Sequence, residues 1–234
     1  MAVRGTCDRA LPQLAGNLGR MKSDNNVHAL ATYVSDMLAM ERHVRVPFEA
    51  QAKDEDFRSF DGASGLVQAL LTTSKEHVDS LDQCLQRLGG HQASPVKSSV
   101  SEIAGLFAGV IDKMRKTKVS KALRDDYTAL ALCSAGYSAL MATANALGNL
   151  EVAVLARSML TDYATLVMQI GEALPQVVVE ELQDDDNLQV GASTAEESRL
   201  AVASAWRSGA QTARVETAVT GIVGDVPSYV SERT

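Results

Sequence analysis

Residues 127–150, YTALALCSAGYSALMATANALGNL, contain no charged side chain, although Asp125 and Asp126 precede them and Glu151 follows. The run is long enough to cross a bilayer. Thr128, Ser134, Tyr137, Ser138, Thr143 and Asn145 punctuate it, however, and alanine outnumbers leucine. Such a segment reads as a helix buried on most sides within a water-facing helical protein, not as a membrane span. The rest of the chain is expected to cover it.

The composition agrees with that reading. Of 234 residues, 46% are hydrophobic and only 4% aromatic. The core must therefore be filled by Ala, Leu, Val and Met, which suits close-packed helices better than sheets. A formal charge of −7 argues against a nucleic-acid partner, because phosphate backbones reward clustered Lys and Arg. Cys7, Cys84 and Cys133 are odd in number and widely spaced, and no basic segment followed by an apolar one opens the chain. A reduced, cytoplasmic protein without a secretory signal is expected.

Working outward from 127–150, four long helices emerge. The first is expected over about 26–53, with Asp24-Asn25-Asn26 as its cap and a seam of Val27, Leu30, Val34, Met37, Glu41, Val44 and Phe48. Pro47 should loosen its last turns. The second spans about 62–88, stopped by Gly89-Gly90, with the seam Leu70, Ser74, His77, Leu81, Cys84 and Leu88. The third spans about 119–147, stopped by Gly148, with the seam Leu123, Tyr127, Leu130, Ser134, Tyr137, Met141 and Ala144. The fourth runs from about Leu150 to at least Leu174, with the seam Val152, Leu155, Met159, Asp162 and Leu166, and Pro175 should end or kink it.

Shorter elements surround these. Ser94-Pro95 opens a crossover helix through Ile103, Leu106, Val110 and Met114, closed by the basic run Lys113–Lys118. Residues 1–23 read as an N-terminal arm, 24–183 as the helical domain and 184–234 as an acidic appendage. That appendage holds eight acids against four bases, a net of −4. Within it, Thr194-Ala-Glu-Glu197 fits a capping box before a helix through Leu200, Val202 and Trp206, with an extended tail beyond.

Each seam is interrupted by polar residues near its middle: Glu41, Ser74 with His77, Ser134 with Tyr137, and Asp162. Alignment of the helices centre to centre would gather these into one polar layer inside an apolar core. A buried carboxylate without a partner is costly. Glu41 therefore needs His77, Tyr137, a metal or a water beside it, and Asp162 likewise needs a partner.

Over about 25–183 the chain resembles the ferritin-like superfamily, most closely its bacterial YciE/YciF-type stress-associated branch. The residues that carry the resemblance are Met37-Leu-Ala-Met-Glu41, His77-Val-Asp-Ser-Leu81 running on to Leu88-Gly89-Gly90, the run from Tyr137 to Gly148, and Leu160-Thr-Asp162. The resemblance implies an all-α, up-down four-helix bundle with one long crossover that contains an extra helix. It also implies homodimerisation, and two iron or manganese ions held by one Glu from each of two helices and a Glu-x-x-His pair from each of the other two.

Glu41 matches the first-helix Glu and His77 the His of the second-helix pair, but Ser74 stands where that pair's Glu belongs. The third-helix Glu falls near Leu130 or Cys133 and is absent; Asp162 could replace the fourth-helix Glu, yet Thr165 occupies its His position. At best three of six ligands, Glu41, His77 and Asp162, remain. Two divalent ions need more carboxylates than these, so no metal or a single iron or manganese ion is expected.

Three functions follow as expectations. The first is a stress-associated protein with a depleted metal centre and no catalysis. The second is an oxygen-handling or redox enzyme using Glu41, His77, Asp162 and Tyr137. The third is an interaction module whose protein partner binds the tail from Asp184. A Cys133–His77 activated thiol is a weaker candidate than a buried, inert cysteine.

Overall fold

The computed structural model describes residues 10–89, 118–184, 188–191 and 193–219. The described residues form six helices and no strand: α1 Ala10–Gln51, α2 Glu55–Ser59, α3 Asp61–Arg87, α4 Val119–Ala146, α5 Leu150–Gln183 and α6 Thr194–Val219. Among them, no helix is long and apolar enough to cross a membrane. The crossover helix expected from Pro95 to Met114 lies outside the described residues, as does Cys7. The chain divides into two compact units, 1–170 and 171–234.

In the first unit α1 packs along α3 and against α4. Its core is aliphatic, as the composition requires: Leu30, Val34, Leu70, Leu81, Leu123, Leu130, Leu140 and Ile170 are essentially inaccessible to solvent. The α1 and α3 seams fall where the sequence places them, except that Val27 is 38% exposed and Leu88, just past α3, is only part-buried. Gly136 of α4 lies against α1. A Cβ added there would sit 2.6 Å from Met37 Sδ, so the glycine brings these two helices together.

Local chemistry sets the helix ends. Gly89 and Gly148 adopt positive φ, 74° and 72°, beyond the ends of α3 and α4, a conformation that glycine takes without a Cβ clash. After α4, Asn149 N–H donates to Ala144 O at 2.9 Å and Gly148 N–H to Asn145 O at 3.1 Å, the paired bonds of a Schellman motif. The Asn149 side chain then caps the next helix, accepting from Val152 N–H at 3.0 Å. One asparagine thus closes one helix and opens the other.

The helix boundaries correct three expectations, on the start of α1, the end of α5 and the length of α6. α1 is continuous through Asp24-Asn25-Asn26, which therefore cap nothing. Its end at Gln51, past Pro47, falls close to the expected 53. Pro47, Phe48 and Gln51 are buried, and packing outweighs the one lost backbone bond. α5 likewise passes through Pro175 to Gln183. In the second unit α6 reaches Val219, beyond the short helix expected. At its start Ser193 Oγ donates to Glu197 Oε1 at 2.6 Å.

Two seams shift by one residue at some of their positions. On α4, Leu123, Leu130, Tyr137 and Ala144 are buried as expected, but Asp126, Cys133 and Leu140 are buried in place of Tyr127, Ser134 and Met141. On α5, Val152, Met159 and Leu166 are buried as expected, and Ala156, Tyr163 and Ile170 join them. Leu155 and Asp162 therefore lie beside that line instead of on it.

Candidate functional site

α1 carries Glu41 into the core at an ordinary seam position, where its exposure is 0%. Side chains from three other helices close on its carboxylate. From α4, Tyr137 donates its hydroxyl to Oε1 in a short bond. From α5, Tyr163 donates to Oε2 at 2.5 Å. From α3, Ser74 donates to Oε2 at 3.3 Å, and His77 Nδ1 lies 3.2 Å from Oε1. Both carboxylate oxygens are thus engaged by protein groups, the arrangement that a buried anion requires.

The rings pack as closely as the polar atoms do. The His77 and Tyr163 centroids are 4.6 Å apart, and His77 meets Tyr137 edge-on at 5.6 Å. Both tyrosines are fully buried. Burial first, and then the charge on Glu41, push both phenols up from their ordinary range. They stay protonated and act as donors. Burial and the Glu41 charge also push the Cys133 thiol well up. A thiol held in that form is a poor nucleophile, which removes the activated Cys133–His77 pair.

Asp162 sits differently. Its side chain is 51% exposed, and its Oδ2 lies 3.4 Å from His77 Nε2. His77 therefore bridges a buried carboxylate on one ring nitrogen and a surface carboxylate on the other. The chain Asp162–His77–Glu41 leads from solvent to the core, a path along which a proton could move.

Of the residues expected to meet, Glu41, Ser74, His77, Tyr137 and Asp162 do so. Ser134 does not join them. It is part-buried and donates to Leu130 O at 2.8 Å, back along its own helix. Tyr163 joins unforeseen, in the seat expected for Asp162. Extending the α5 seam by one turn separates the two registers, because the register through Tyr163 reaches Ile170 and the other reaches Gln169.

The geometry bears directly on metal binding. Glu41 and Asp162 face opposite nitrogens of one imidazole, so the three candidate ligands do not converge on a common point. Among the described residues, no group of three or more His, Cys, Asp or Glu is placed to hold a metal ion. An ion bound through Glu41 would have to displace Tyr137 or Tyr163. The donor set does not fit a di-metal centre.

A second buried polar pair lies at the end of α1. Gln51 and Asp126 are 2% and 3% exposed, and Gln51 Nε2 donates to Asp126 Oδ1 at 2.9 Å. Neither residue was singled out from the sequence.

Fold and site together define an all-helical protein with a tyrosine-capped carboxylate at its centre. The chain belongs to the family described as a domain of unknown function, DUF892, which matches residues 28–188. No curated protein and no solved structure matches it.

Proposed function

We propose that this is a ferritin-like protein whose ancestral metal site has become a metal-free, hydrogen-bonded polar core. On this reading α1, α3, α4 and α5 form an up-down four-helix bundle with one long crossover. The protein works without catalysis, as a homodimer, in a stress-associated role of the YciE/YciF type. Membership of a family of ferritin-like type supports the fold. Resemblance supports the role and the dimer.

One observation carries the metal-free reading: both oxygens of Glu41 are engaged by four protein side chains from three helices. A metal-binding carboxylate keeps lone pairs directed at its ion. Here those lone pairs face Tyr137, Tyr163, Ser74 and His77. The phenol hydroxyls supply the donors that a buried carboxylate requires where no cation balances it.

Titration of the protein with Mn²⁺ in a calorimeter tests this. The wild type should show no saturable site, while Tyr137→Phe/Tyr163→Phe should gain uptake as the carboxylate is uncovered. Tight uptake by the wild type that Glu41→Ala abolishes would overturn the reading.

A second reading places a partner on the C-terminal unit. On α6, Leu200 and Trp206 are about half exposed and offer apolar surface to such a partner. Deletion of residues 184–234 should then abolish association while helicity and melting of the remainder persist. A large loss of stability would instead make the segment a structural strap.

A further inference from the structure

The Gln51–Asp126 pair contains an imbalance. Gln51 Nε2 donates to Asp126 Oδ1, but Gln51 Oε1 and Asp126 Oδ2 are buried and have no hydrogen-bond partner. Both orphaned atoms are acceptors, and they belong to two planar groups already joined along one edge. Burying two such atoms unsatisfied is costly. A single hydrogen placed between them would satisfy both.

We propose that Asp126 carries that hydrogen, so that carboxylic acid and amide form a cyclic two-bond pair acting as a proton-operated latch between the C-terminal end of α1 and the first turns of α4. In the closed form Gln51 Nε2–H donates to Oδ1 and Asp126 Oδ2–H donates to Gln51 Oε1. Loss of the proton leaves a buried carboxylate with one bond, facing an amide oxygen that repels it.

The surroundings favour the neutral acid. Burial pushes the Asp126 carboxyl up to about 7, with the neighbouring Asp125 acting in the same direction and the Gln51 bond opposing. The cations nearest in sequence, Lys53 after Gln51 and Lys121 and Arg124 beside Asp126, are exposed. Arg124 is drawn to Asp125 at 2.7 Å. Asp54, which follows Lys53, is also exposed.

The folded state holds this proton where the unfolded chain, with its ordinary carboxyl value of 3.8, has lost it. The stabilisation is complete below the unfolded value. It declines as pH rises towards about 7 and is level above that. The latch closes in mildly acidic conditions and opens near neutrality.

Asp126→Asn tests the pairing, because a primary amide copies the protonated acid: its oxygen accepts from Gln51 and its N–H donates to Gln51 Oε1. Near pH 3.5, below the unfolded carboxyl value, urea unfolding of wild type and variant should coincide. By pH 8 the wild-type unfolding constant should exceed that of the variant by roughly tenfold or more. Amide exchange over residues 48–54 should quicken above pH 7 in the wild type relative to the variant. A stability difference that does not change with pH would overturn the latch. Should the variant fail to fold, carboxyl-carbon NMR of the wild type decides. Titration of Asp126 near neutrality supports the proposal, and titration in the ordinary carboxylate range refutes it.

Discussion

Tyr163 on α5 donates its hydroxyl to Glu41 on α1 at 2.5 Å, across 122 residues of sequence. With the Tyr137 bond from α4, it ties two distant helices to a single carboxylate. The core is therefore held at mid-height by polar bonds set within aliphatic packing.

Tyr163→Phe removes one charge-assisted bond and leaves the ring in place. It should cost about 1.5–3 kcal/mol, read as a lower urea midpoint with unchanged slope. Tyr137→Phe should cost a similar amount. The double variant should cost less than the sum if the freed oxygens admit water or an ion.

Glu41→Ala should be worse than either change. It leaves two phenols and the Ser74 hydroxyl without their acceptor and His77 Nδ1 without its partner, and about 3–5 kcal/mol of stability should be lost. Asp162→Ala removes only a half-exposed carboxylate 3.4 Å from His77, and should cost below about 1 kcal/mol. Comparable losses from Glu41→Ala and Asp162→Ala would contradict the asymmetry described for His77.

At Gly136 two effects oppose each other. An added Cβ would crowd Met37 Sδ, but that atom lies near the end of a flexible side chain and alanine gains about 1 kcal/mol in helix propensity over glycine. Gly136→Ala should melt within a few degrees of the wild type. Gly136→Leu cannot be accommodated by moving Met37 alone and should cost about 1–3 kcal/mol.

Cys84 and Cys133 are buried free thiols, and burial raises both. A disulfide reagent at pH 8 should label them far more slowly in the native protein than in urea. Rapid native labelling of Cys133 would show a reactive site.

Much of the helical architecture was legible in the sequence because glycines and apolar spacing marked it. Gly89 and Gly148 mark the ends of α3 and α4, and the α1 and α3 seams carry Glu41, Ser74 and His77 inward as their spacing requires. The α4 register was not legible. Leu123, Leu130, Tyr137 and Ala144 fit both alternatives, and hydropathy favours Tyr127 and Met141 over Asp126. Only Gln51, from another helix, makes burial of Asp126 tolerable, and a pattern along one helix cannot show that. Tyr163 was missed for a related reason: a carboxylate next to it matched the expected ligand.

Metal content of freshly purified protein tests the central claim most directly. Iron and manganese should be far below one ion per chain, with Glu41→Ala no different. Two ions per chain in the wild type, lost in Glu41→Ala, would contradict a carboxylate already filled by tyrosine, serine and histidine.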